Sequence, residues 1–157
     1  MVLRRGTLGL GTKDAGERRS LRAVRGAVTV DEDTGLAIER AARELLGAIV
    51  ERNEIAIDDI ISVIFTVTPD LTAAFPAVAA RQMGWHDVPL LCTMEIPVPG
   101  ALQRCIRVLL HVGSDRSRTA IQHVYLGAAE MLRPDLSKPA NDERVDIDRV
   151  PPGELRY

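Results

Sequence analysis

The feature that most restricts what this chain can become is a series of short β-branched runs, each closed by proline or glycine, with one long helical repeat among them. Ala23 to Val30 is the first run. Ile60 to Thr68 is the second, too short and too β-branched for a buried helix and stopped by Pro69-Asp70. Leu90 to Ile96 is the third, closed by Pro97 and Pro99-Gly100, and Ile106 to Val112 and His123 to Ala129 supply two more. Between the first two runs, Ile38, Ala41, Ala42, Leu45, Leu46 and Ile49 recur at helical spacing, which predicts an amphipathic helix capped by Asp33 or Thr34 and ending near Asn53. Pro76 opens a short helix through Met83, with Gly84 to end it. Five strands, one long helix and one short helix predict an α+β domain built on a mixed five-stranded sheet.

With 157 residues there is material for one core, whereas two would leave each half too small. The chain divides into an extension over 1–20, rich in glycine and charge without apolar periodicity, a domain over 21–134, and a tail over 135–157 whose prolines exclude a helix or central strand. Aromatic residues are 3% of the chain, so the core must be Val, Ile, Leu and Ala. A net charge of -2 argues against a general nucleic-acid or membrane-surface binder, which needs surplus cations to neutralise phosphates. Basic residues outnumber acidic ones through Arg25, but no aromatic residue interleaves with them as in a nucleic-acid arm. Cys92 and Cys105 follow no metal-ligand or CxxC spacing, and no long apolar segment resembles a membrane span or signal peptide, so a soluble protein of the reducing cytoplasm is expected.

Charged residues stand singly among the apolar strands at Arg25, Glu95 and Arg107, where a charge is costly unless it meets solvent, a partner or a ligand. Their surroundings form six blocks: Val24-Arg25-Gly26-Ala27; Thr68-Pro69-Asp70-Leu71 with Phe75-Pro76-Ala77; Val88-Pro89-Leu90-Leu91-Cys92-Thr93-Met94-Glu95; Cys105-Ile106-Arg107-Val108; His123-Val124-Tyr125-Leu126; and Leu132-Arg133-Pro134-Asp135-Leu136. In order and spacing these blocks closely resemble the AroH-class chorismate mutases over residues 24 to 136.

That resemblance implies ferredoxin-like layers, and a homotrimer whose sheets form a barrel-like core with active sites at the subunit interfaces. It also implies conversion of chorismate to prephenate in phenylalanine and tyrosine biosynthesis. The reaction is an intramolecular rearrangement that needs no nucleophile, metal or cofactor. An enzyme contributes by holding the compact conformer and stabilising the charge that separates as the ether C–O bond lengthens. By resemblance, Arg107 donates to the ether oxygen and a carboxylate, since its planar fork reaches both and keeps its charge. Arg25 and Tyr125 bind a carboxylate, and Glu95 accepts from the ring hydroxyl and offsets positive charge on the ring. Cys92 contacts the same hydroxyl, or is a small buried hydrophobe whose backbone does the binding. Leu91, Thr93 and Met94 line that strand, Phe75 and Leu132 add apolar surface, and Arg81 and Arg133 lie near the mouth. One departure is Val78, where family members can carry a lysine. The acidic body, nine basic against fourteen acidic residues over 26–134, must then hold a dianion through a few aimed groups.

His86, His111 and His123 lie on different elements without ligand spacing, so no metal is expected. Two other readings use the same residues: a trimeric Rid-like imine deaminase with an interfacial arginine, and a non-catalytic trimeric carboxylate-binding module.

Overall fold

The computed structural model describes residues 19–136. The expectations for the N-terminal extension up to residue 18 and for the tail beyond residue 136 lie outside the described residues.

Five strands form one sheet in the order β3-β2-β4-β1-β5: β1 (Ser20–Thr29), β2 (Ile60–Val67), β3 (Leu90–Met94), β4 (Cys105–Ser114) and β5 (Val124–Leu126). β4 is antiparallel to β1 and β2, while β3 runs parallel to β2 and β5 parallel to β1. Helix α1 (Gly35–Asn53) connects β1 to β2 and leaves β4 between them, a split β-α-β arrangement in a mixed sheet. The expected α+β architecture is therefore present.

The apolar stripe of α1 from Ala37 to Ile49 is buried against one sheet face, where Val24, Val28, Val63, Phe65, Ile106, Val108 and Leu110 meet it. Gly26 marks the closest approach. A Cβ there would stand 2.8 Å from Ile49 Cδ1 and 3.0 Å from Leu45 Cδ1, so only glycine lets the helix lie this close to β1. Helix α2 (Ala77–Gln82) adds Ala77, Ala79 and Ala80 to the same core, with Trp85 just beyond it. Thr34 caps α1 by accepting from the Ala37 N–H at 3.3 Å, and Glu54 ends the helix in the left-handed region. The buried Asn53 side chain then ties the helix end to Gln122, donating to its carbonyl and accepting from its N–H, both at 2.8 Å.

The structure corrects several boundaries. β1 starts at Ser20, inside the expected extension, because β4 runs past Val112 to Ser114 and pairs with it there. The third strand ends at Met94 instead of Ile96. The run from His123 to Ala129 is a strand only over Val124–Leu126, since Gly127 takes a positive φ of 60° and turns the chain into a 3-10 helix over Gly127–Leu132. The Ala128 N–H donates to Thr29 Oγ1 at 3.1 Å and fixes that bend. Two further 3-10 turns, Ile57–Asp59 and Arg118–Ala120, carry no apolar periodicity that would have announced them.

The segment after Gly127 folds over the sheet face opposite α1. Ala27, Cys105, Tyr125 and Ala129 form a second buried cluster, with Leu102, Leu132 and Leu136 packed against it. Among the described residues that face is thus covered at one end and open over the rest.

Candidate active site

Strand register decides which side chains share a face. Gly26, Val108, Phe65 and Cys92 are successive cross-strand partners on the face that α1 covers. One residue along each strand, Tyr125, Ala27, Arg107, Thr66 and Thr93 make the corresponding row on the opposite face. The next row on that face holds Arg25, Leu109, Ile64 and Leu91. The single charges at Arg25 and Arg107 therefore point away from the main core because the period-2 alternation of strands puts them there.

A groove of about 1020 Å³ lies over this face, lined by Arg25, Ile64, Thr66, Met94, Glu95, Arg107 and Leu109 and walled by the segment Ile96–Ala101. At its floor the Arg107 guanidinium donates through Nη1 to Glu95 Oε2, and the Thr66 hydroxyl donates to Glu95 Oε1. Glu95 stands just past β3, but its N–H still donates to the Val67 carbonyl at 2.9 Å, so the strand pairing delivers it to the groove. The start of β4 is held as firmly. Thr68 accepts from the Cys105 N–H at 2.9 Å, and Asp70 accepts from the Arg104 N–H at 2.8 Å. Burial pushes against ionisation of Asp70, but the donors Thr68 and Arg104 prevail and hold its carboxyl below the usual value. The Thr68-Pro69-Asp70 block thus anchors the strand that carries Arg107.

Arg25 is exposed on β1, and its guanidinium makes no ion pair among the described residues. Its main-chain N–H donates to His123 Nδ1 at 3.1 Å, and burial, followed by the charges of Arg25 and Arg133, pushes the His123 pKa down. His123 is thus a neutral acceptor that splices the end of the sheet. Tyr125 is buried in the second cluster, yet its hydroxyl has no hydrogen-bond partner among the described residues. A buried hydroxyl in that state is costly and points to a partner brought from elsewhere. Leu132 packs against this cluster, and Arg133 is engaged in a bidentate pair with Asp135 at 2.9 and 2.8 Å.

The other expected site residues lie apart from this group. Cys92 faces the α1 side and packs on the main core, with its thiol near the Ala77 backbone and Arg81 and its pKa raised by burial. Its side chain does not line the groove. Leu91, Thr93 and Met94 are exposed, with Met94 in the groove wall. Phe75 is 70% exposed on the loop before α2, and Arg81 is exposed on α2 itself; neither lines the groove. One chain therefore brings Arg25, Glu95 and Arg107 to the groove, holds Tyr125 and Leu132 in the neighbouring second cluster, and leaves Phe75, Arg81 and Cys92 elsewhere. Thr66 was missed by sequence reading, although its place two residues from Ile64 and four from Ser62 in a strand of otherwise apolar character was the available signal.

Comparison with known proteins finds similarity over most of the chain. A family model described as "Chorismate mutase type I" matches residues 21–136. The chain is 55% identical over 117 residues to the chorismate mutase AroH of Thermus thermophilus, covering 74% of this chain and 96% of that protein. It is 43% identical over 124 residues to the chorismate mutase AroH of Bacillus subtilis (strain 168), covering 78% of this chain and 98% of that protein. Among solved structures, "Chorismate mutase from Clostridium thermocellum Cth-682" matches with a TM-score of 0.69 at 51% identity, over 69% of this chain and 97% of that one.

Proposed function

Because the chain belongs to the chorismate mutase type I family and is a chorismate mutase, we propose that it converts chorismate to prephenate by binding the reactive conformer and stabilising charge on the ether oxygen, with Arg107 as the principal catalytic residue. The observation that carries this mechanism is the Arg107–Glu95 pair on the groove floor. The rearrangement breaks a C–O bond while a C–C bond forms, leaving negative charge on the ether oxygen and positive charge on the ring. A fixed cation and a fixed carboxylate side by side match that separation, and they do so without reorganising during the reaction. A guanidinium has five N–H donors in a rigid fork, so Arg107 can keep Glu95 through Nη1 and still donate to the ether oxygen and a carboxylate. Glu95 accepts from the ring hydroxyl.

Arg25, free of ion pairs among the described residues, and Tyr125, with its unpartnered hydroxyl, bind a carboxylate of the dianion. Leu91, Thr93 and Met94 wall the strand side, and Cys92, its thiol turned to the core, contributes through its main chain. Phe75 and Leu132 add apolar cover, with Arg81 and Arg133 at the mouth. In this reading the protein is a homotrimer with sites shared between subunits. Its support is that Phe75 and Arg81 stand off the groove of their own chain while the groove face exposes Leu91 and Met94. A cytoplasmic setting, where prephenate serves phenylalanine and tyrosine synthesis, suits the two free thiols.

The test is loss of chorismate absorbance in buffer containing a chelator, with the product converted by acid to phenylpyruvate. Arg107→Ala should stay folded and lose about 10²-fold or more in turnover, the usual effect of removing one aimed donor. Turnover close to that of the native protein in a folded Arg107→Ala variant would overturn the mechanism.

A further inference from the structure

Resting on that reading of Glu95 and Arg107, we infer that Thr66 is a positioning residue for the rearrangement, which keeps the Glu95 carboxylate aimed while Arg107 serves the substrate. Glu95 follows the last residue of β3, and its backbone is tethered to Val67 at 2.9 Å. This tether leaves three side-chain torsions to be fixed by other means. Two side-chain donors fix them: the Thr66 hydroxyl takes Oε1 and Arg107 Nη1 takes Oε2. Thr66 and Arg107 are direct cross-strand partners on β2 and β4, so both donors rise from one row of the sheet and approach the carboxylate together.

The two donors have different duties once substrate is bound. In that reading Arg107 divides its donors among Glu95, the ether oxygen and a substrate carboxylate. The Thr66 hydroxyl is given to Glu95. It sits on a β-branched side chain with restricted χ1, and a hydroxyl-to-carboxylate hydrogen bond is charge-assisted and strong. Thr66 is also half-buried on the groove floor, so its bond to Glu95 is less exposed to competing water than a surface contact.

Thr66→Val keeps shape and β-branching and removes only the donor, whereas Thr66→Ser keeps the donor. Thr66→Val should fold and assemble as the native protein does, by circular dichroism and size, and lose about tenfold in kcat, in keeping with a hydrogen bond to a charged group. KM should change by less than about threefold, since the bond acts on the transition state more than on binding. Thr66→Ser should recover most of the lost kcat. In a Glu95→Ala background Thr66→Val should cost nothing further, because its effect passes through Glu95. Native-like kcat in Thr66→Val, or an equal loss in the Glu95→Ala background, would overturn the inference. Arg107→Ala and Glu95→Ala are assayed alongside. If both lose turnover and Thr66→Val does not, Thr66 alone is discarded; if both keep it, the site reading fails and this inference fails with it.

Discussion

Tyr125 presents the chemistry of a single residue at its plainest. Its ring fills the small cluster with Ala27, Cys105 and Ala129, so the residue is buried for packing reasons, but its hydroxyl finds no partner among the described residues. A tyrosine kept only for its ring would be replaceable by phenylalanine with a gain, because an unsatisfied buried hydroxyl costs about 1–3 kcal/mol. Tyr125→Phe should therefore be at least as stable as the native protein in urea titrations while its KM for chorismate rises. A drop in stability with unchanged KM would assign the hydroxyl a structural partner instead. Cys105 lies in the same cluster, with its thiol pushed up to about 11 by burial despite the nearby Arg107 guanidinium, so it is a neutral packing group at neutral pH.

Between elements, the cap of α1 that sequence reading offered to Asp33 or Thr34 falls to Thr34, and Asp33 takes a different duty. Thr34 caps α1, and Asp33 reaches across to the loop before α2, accepting from the Thr72 N–H at 2.9 Å, the Ala73 N–H at 3.0 Å and the Thr72 hydroxyl at 2.8 Å. This joins the start of α1 to the loop that carries Phe75. The Ala73 N–H, then the two Thr72 donors, hold the Asp33 carboxyl below its ordinary value of 3.8. A carboxylate with a lowered folded-state pKa contributes stability that is complete above its unfolded value and vanishes as pH falls through the folded one. Asp33→Ala should thus melt below the native protein at neutral pH, and the gap should close as the pH falls below the ordinary carboxylate value of 3.8. A gap that does not change with pH would mean the aspartate acts through something other than its charge. The carboxylate is exposed, so the gap at neutral pH will be modest.

For the whole molecule, the notable asymmetry is between two sheet faces. One is sealed by α1 and α2, and among the described residues the other is covered only where the chain returns after Gly127, leaving the groove and exposed Leu91, Met94, Ile96 and Val98 beside it. If copies complete each other's sites, inactive chains with lesions in different halves should rescue one another. Arg107→Ala damages the groove half and a Phe75→Ala, Arg81→Ala double variant the other. Co-expressed in equal amounts, they should give about one site in four with both halves native, since each half comes independently from its own chain. Activity above the mean of the two separate preparations is expected. Activity equal to that mean would place each whole site in one chain.

How much was legible follows from the range of the forces. The periodicities of α1 and of the first four strands come from neighbouring residues packing on one face, and they were readable from the chain alone, as were the lone charges Arg25, Glu95 and Arg107. The end of the fifth strand was not, because a run of small apolar residues has no decisive period and its bend depends on Gly127 meeting Thr29, far away in sequence. Nor was the side of the sheet to which Cys92 turns, which follows from its register with Phe65, or the grip of Thr66 on Glu95, which follows from register with Arg107. Sequence by itself determined which residues could bear charge within a sheet and which blocks mark the family. Only the tertiary structure decided which of them share a face, because a strand alternates its side chains locally while its partner, and so the meaning of that alternation, is set by pairing with a distant segment.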